Sequence, residues 1–204
     1  VYVWFHPKVG LWFGATPETL LHIENSSFKT MSLAGTQVYK NTKNVVWKSK
    51  ELDEQQLVTN FIESQLKDIS SNLKIDKTET VKAGYLLHLR TRVEGNLNTS
   101  ADLKSLIRAL HPTPAVCGLP RSMAKDFILE NENYNRSFYT GFLGELNIQN
   151  SKNRNSQLYV NLRCMNVVAN SAFIFVGGGI TKDSNAEKEW TETVSKSKTM
   201  KRVL

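Results

Sequence analysis

YTGFLGELN (Tyr139–Asn147), LYVNLRCMNVV (Leu158–Val168) and AFIFV (Ala172–Val176) stand close together near the end of the chain. Each is dense in β-branched and aromatic residues and reads as a strand. The polar loop Asn150–Ser156 and the short turn Ala169–Ser171 join them into an antiparallel run. Working outward, Gly177–Gly179 precede a helix from about Asn185 to Val203. At the other end, Val1–Phe5 and Leu11–Gly14 form a hairpin turned at Pro7 and Gly10. Thr19–Ile23 and Ser27–Leu33 add two strands with a turn at Glu24–Ser26, and Thr78–Val93 reads as strands around Gly84. Lys40–Trp47 has no apolar period and reads as a loop. Leu52, Leu57, Val58, Phe61, Ile62 and Leu66 recur at helical spacing, predicting a helix from Lys50 to about Ile69. Ser49 is its expected cap, with Glu51 facing the helix dipole. Ala101–Leu110, capped by Ser100 and stopped before Pro112, and Ser122–Glu130 read as short helices. No internal repeat is present. Strands grouped with few intervening helices make this an α+β chain rather than a doubly wound parallel sheet.

The 204 residues suit one large domain or two small ones. With 40% hydrophobic and 22% charged residues, disorder and collagen-like repeats are excluded. No apolar run approaches membrane-helix length, and VYVWF lacks the basic region of a secretory signal. The two cysteines, Cys117 and Cys164, make no disulfide framework and no metal spacing, which suits buried thiols in a reducing compartment. A cytoplasmic protein is expected. The net charge of +7 favours an anionic ligand, but no basic stretch interleaved with aromatics supports nucleic-acid binding. The chain opens without Met on a strand already under way, and an isolated hairpin is marginal. A piece of a longer protein is the expectation.

Chemistry concentrates in a few places. Glu51 and Glu54 on one helix, and Glu189 and Glu192 on another, are spaced so that each pair shares a helix face. If the faces oppose, the carboxylates repel unless a hard cation such as Mg²⁺ sits between them; otherwise they are solvated surface acids, Glu192 pairing with Lys196. Gly177–Gly179 lets backbone N–H groups approach an anion, or makes a tight turn. Arg163, inside the apolar strand Val160–Val168, must find an anion, either a protein carboxylate or a ligand. His88 shares a strand face with Arg90 and reads first as a structural group. Glu18, after Pro17, reads as a surface loop acid. The four tryptophans and Tyr139 read as core or pocket wall.

Together these segments resemble the chorismate-utilising enzymes, a family of isochorismate, salicylate, anthranilate and aminodeoxychorismate synthases. FGATPE (Phe13–Glu18), LAGT (Leu33–Thr36), SKELDEQ (Ser49–Gln55), LHLRT (Leu87–Thr91), LHPTPAVCGLP (Leu110–Pro120), YTGFLGEL (Tyr139–Leu146), LRCM (Leu162–Met165), GGGI (Gly177–Ile180) and EWTETVSKS (Glu189–Ser197) occur in the family's order. HPTPAVCGLP, LRCM and EWTET look most like the isochorismate synthases. The resemblance implies the anthranilate-synthase-type α+β fold, stacked antiparallel sheets flanked by helices. Residues 1–204 would then be one chorismate-binding domain, incomplete at its N-terminus.

By the same resemblance Glu54 and Glu192 match direct Mg²⁺ ligands, with Glu51 and Glu189 as water-mediated support. Arg163, Tyr139 and the Gly177–Gly179 backbone match groups gripping the pyruvyl carboxylate, and Lys196 a lysine near the acidic site. His88 and Thr36 match wall residues close to the ring. Ala115 and Val116 match the ring pocket, where an apolar pair is typical of isochorismate synthases and Thr-Ala of salicylate synthases. Glu18 matches the acid that protonates the departing 4-hydroxyl, a role needing a pKa raised by burial. The family's partner base is a lysine upstream of FGATPE, and no residue here matches it. The implied reaction is Mg²⁺-dependent isomerisation of chorismate to isochorismate, for menaquinone or a siderophore. The resemblance leaves three alternatives: a salicylate synthase, an anthranilate or aminodeoxychorismate synthase, and a catalytically incomplete binding fragment. The full-length protein is expected to be a monomer. The 204 residues alone are expected to be inactive and prone to self-associate.

Overall fold

The structure is a computed structural model that describes residues 1–149 and 153–204. The first hairpin pairs β1 (Tyr2–His6) with β2 (Gly10–Gly14), and Gly10 supplies the positive φ its turn requires. After Ala15–Glu18 come β3 (Thr19–Glu24) and β4 (Ser27–Val38), then α1 (Ser49–Leu66). Next are β5 (Ser70–Ile75), β6 (Glu79–Ala83) and β7 (Leu86–Leu97), followed by α2 (Leu103–Leu110) and α3 (Arg121–Asn131). Two hairpins, β8 (Phe142–Gln149) with β9 (Arg154–Val160) and β10 (Cys164–Val168) with β11 (Ser171–Phe175), lead to α4 (Ala186–Lys201).

All the pairings are antiparallel, as the sequence implies, but they divide into two sheets. The larger runs β5-β7-β4-β3-β9-β8, with β6 and β5 sharing one edge of β7; the smaller runs β1-β2-β10-β11. One face of the larger sheet carries the main core. Leu21, Phe28, Val93 and Leu158 from the strands pack against Val58, Ile62 and Leu66 of α1 and against Leu106 and Leu110 of α2. A second cluster, Trp12, Tyr139 and Cys164, belongs to the smaller sheet.

The stretch Leu158–Val168 is not one strand. β9 lies in the larger sheet and β10 in the smaller, and the chain crosses between them at Asn161–Arg163. Arg163 sits at φ +49, a left-handed conformation that a non-glycine residue holds at a cost of about 1–3 kcal/mol. Asn161 secures the crossing: its Oδ1 accepts from the Tyr2 hydroxyl (2.7 Å) and its Nδ2 donates to Phe138 O (2.8 Å). An apolar pattern hides such a crossing, because both strands are buried on either side of it.

Other boundaries differ for local reasons. Ser49 lies inside α1 rather than capping it; Glu51 turns back to accept from the Lys48 N–H (3.0 Å). Asp102, not Ser100, caps α2 by accepting from Ser105 N. Leu52 and Leu57 face outward, while Gln55 is buried, accepting from Ala34 N–H and donating to Ser32 and Thr91. That polar peg fixes α1 on β4 and β7. Strand β4 continues past Leu33 through a bulge at Gly35, φ +63. Tyr139 precedes β8 in a turn instead of opening it. Trp12 is core, but Trp190 is exposed and Trp4 largely so; Cys164 is buried and Cys117 half-buried. Of the expected loop Asn150–Ser156, positions 150–152 lie outside the described residues, and from Arg154 onward it is already β9. Among the described residues no helix is long and apolar enough to cross a membrane.

Candidate active site

Both crossings between the sheets run side by side. The Ala15 N–H donates to Arg163 O (3.0 Å) and the Val160 N–H to Glu18 O (3.1 Å), so Glu18 and Arg163 meet in the seam. Into the same seam come the Gly35 bulge of β4, His88 of β7 and the loop after β11. A cavity of about 170 Å³ opens there, walled by Glu18, Thr36, Glu54, His88, Ala115, Val116, Tyr139, Arg163, Gly177–Gly179 and Lys196.

Glu18 is not a surface acid: it is 2% exposed. Burial pushes its carboxyl up to about 8, although Arg163 pulls the other way. It is therefore a neutral acid at pH 7. A carboxyl whose folded pKa exceeds its unfolded one stabilises the fold at low pH, and that contribution fades as pH rises through the folded value. Thermal melts of the wild type should thus lose stability between pH 4.5 and about 8, and Glu18→Gln should flatten that loss. An unchanged slope in the variant would contradict a buried neutral acid.

Arg163 is 8% exposed, and among the described residues it forms no ion pair. Burial lowers its pKa without discharging a guanidinium. Its Nη2 lies 3.4 Å from His88 Nε2. The other ring nitrogen, Nδ1, donates to the Gly35 carbonyl (2.9 Å), which leaves Nε2 as an acceptor facing Arg163. Burial and then Arg163 depress His88 to about 3, so it stays neutral and orients the guanidinium rather than moving protons at pH 7. A buried cation without a carboxylate, lining a cavity, has an anion-binding site to offer. Tyr139 stands beside it, stacked on Phe175 at 5.6 Å. Gly177 is needed for clearance, since a Cβ there would sit 2.7 Å from Tyr139 Oη; one at Gly179 would sit 3.0 Å from Glu54 Oε1, the end of a flexible side chain.

The acidic residues converge around that glycine loop. Glu54, Glu189 and Glu192 all approach Gly178 or Gly179. Lysines stand among them: Lys50 pairs with Glu189, and Lys196 with Glu192 at 2.6 Å, while Lys196 also donates to Gly177 O (3.0 Å). Burial, then Glu192, raises the Glu54 pKa. Burial pushes Glu189 up, but Lys50, Ser184 and Lys196 together outweigh it and leave the carboxyl below its usual range. Glu51 is drawn to the helix cap, away from this group. Among the described residues no group of three or more His, Cys, Asp or Glu side chains is placed to hold a metal ion. The acids offer only oxygens, the donors a hard divalent ion takes, and Lys50 and Lys196 hold part of the positive charge such an ion would bring.

Sequence reasoning missed Glu132 and Arg136, which also line the cavity. They lie in the polar stretch after α3, where nothing but their spacing of four marks them.

A family model described as chorismate binding enzyme matches residues 1–204. The chain belongs to that family. It is 30% identical to the isochorismate synthase EntC of Escherichia coli (strain K12), covering 96% of this chain and 51% of the relative. It is 28% identical to anthranilate synthase component 1 of Aquifex aeolicus, over 94% of this chain and 40% of that protein. Among solved structures, that of MenF, the menaquinone-specific isochorismate synthase from Escherichia coli, superposes with a TM-score of 0.83 at 28% identity. The match covers 94% of this chain and 45% of that one. Chorismate-binding relatives thus share the antiparallel α+β architecture, and the chain spans about half the length of the curated relatives it matches.

Proposed function

We propose that this chain forms the chorismate-binding site of an isochorismate synthase that uses Mg²⁺. The observation that carries the reading is the pairing, in one cavity, of a buried neutral acid (Glu18) with a buried guanidinium (Arg163) that forms no ion pair among the described residues. Arg163, Tyr139 and the Gly177–Gly179 backbone take the pyruvyl carboxylate; Ala115 and Val116 give the ring an apolar wall. Glu54 and Glu192 would hold the metal, with Glu189 beside them; Glu51, bound to the Lys48 N–H, stands outside this group. A bound Mg²⁺ would supply positive charge opposite the ring carboxylate.

The chemistry balances as an isomerisation. The oxygen of water bonds to carbon 2 and loses a proton to a base, the double bonds shift, and the carbon 4–oxygen bond breaks. Glu18 gives the departing hydroxyl its proton, so that water leaves. A group with a pKa near 8 is poised for that donation at neutral pH.

Product analysis tests the reading. With chorismate, Mg²⁺ and ammonium present, the protein that carries this chain is expected to give isochorismate, with little salicylate and no anthranilate. Salicylate as the main product would make it a salicylate synthase and remove the significance of Ala115 and Val116. Anthranilate would place it with the aminating members.

A further inference from the structure

We propose that Arg136 is a positioning residue that holds the ring-facing wall of the cavity, an inference that rests on the isochorismate synthase reading for its functional consequence. Its guanidinium ties the end of α3 and the Tyr139–Thr140 turn, each within four residues of it, to the Val116 turn twenty residues back. Nε donates to Glu132 Oε2 (2.6 Å), and Nη2 reaches the other oxygen of the same carboxylate, the bidentate arrangement that fits a planar fork. Nη1 donates to the Val116 carbonyl (3.0 Å) and lies 3.3 Å from Thr140 Oγ1. The guanidinium carbon stands 5.8 Å from the centre of the Tyr139 ring.

Each attachment bears on the site. Val116 belongs to a tight turn closed by Val116 N–H and Cys117 N–H donating to Thr113 O, and by Gly118 N–H donating to Pro114 O. Those bonds shape the turn internally, whereas the Arg136 bond to Val116 O fastens it to the rest of the wall. Tyr139 and Thr140 lie in a second turn, with positive φ at Ser137 (49°) and Thr140 (65°). Such a turn persists only when its surroundings hold it. Glu132 neutralises the guanidinium, so Arg136 contributes shape rather than another anion site. A lysine, a point charge on a flexible stem, could serve one of these partners but not all of them.

Arg136→Met and Arg136→Lys in the protein that carries this chain test the idea by steady-state kinetics with chorismate. The expected result is a KM raised about tenfold in both variants, with kcat little changed. Glu132→Gln, which keeps the fork but weakens its anchor, should shift KM the same way by less, and it stands in if Arg136→Met does not fold. A fall in kcat at unchanged KM, or wild-type KM in Arg136→Lys, would overturn the proposal. Amide hydrogen exchange separates its failure from that of the functional reading. If the wild type makes no isochorismate, faster exchange at Val116, Cys117 and Gly118 in Arg136→Met still supports the positioning role. Unchanged exchange there refutes it whatever the product.

Discussion

Glu18→Gln is expected to lower turnover of chorismate by about 10²–10⁴-fold, the range for losing a positioned acid, with binding nearly intact. Glu18 ends the crossing into β3, its backbone is pinned by Val160, and its carboxyl is sealed from water in the seam. Glutamine keeps the volume and hydrogen-bonding reach but has no proton to give. The wild-type rate should also fall as pH rises through about 8, because the ionised form cannot donate. Calorimetric binding of chorismate beside a pH–rate profile separates the two effects. A variant with wild-type turnover, or a profile flat through that limb, would remove Glu18 from the chemistry.

Glu54→Gln and Glu192→Gln are each expected to reduce Mg²⁺-dependent turnover at least about 10²-fold without unfolding the protein. Glu54 sits against Gly179 with its pKa raised by burial and by Glu192, a pair that gains from a cation between its members. In the glutamine variants that gain is lost, and in Glu192→Gln Lys196 also loses its ion-pair partner. Titrating Mg²⁺ against rate checks this. Near-wild-type activity with an unchanged Mg²⁺ requirement in both variants would show that these acids only pair with lysines.

Much of this site can be read in the sequence, because motif order and helix-face spacing are local properties. Glu54 and Glu192 each lie on the expected face, and Glu18, Arg163 and the glycine triplet share one cavity. What escapes is set by tertiary structure. The burial of Glu18 depends on a seam between two sheets, and a local reading makes it a loop acid. The change of sheet at Asn161–Arg163 leaves no trace in an apolar pattern, so Arg163 reads as a strand residue. Glu51 reads as part of the acidic group, yet an unfilled helix end competes for its carboxylate. Lys50 and Arg136 gain their significance from partners far away in sequence, Glu189 for one and Val116 for the other.

The central claim is that this cavity directs water to carbon 2 while Glu18 expels the 4-hydroxyl as water. Mass spectrometry of the product formed in ¹⁸O-enriched water by the protein that carries this chain is the decisive test. Isochorismate carrying one heavy oxygen, located at carbon 2, is the expected product. Isochorismate with no solvent oxygen would contradict the mechanism, and recovery of unchanged chorismate at every Mg²⁺ concentration would contradict the function.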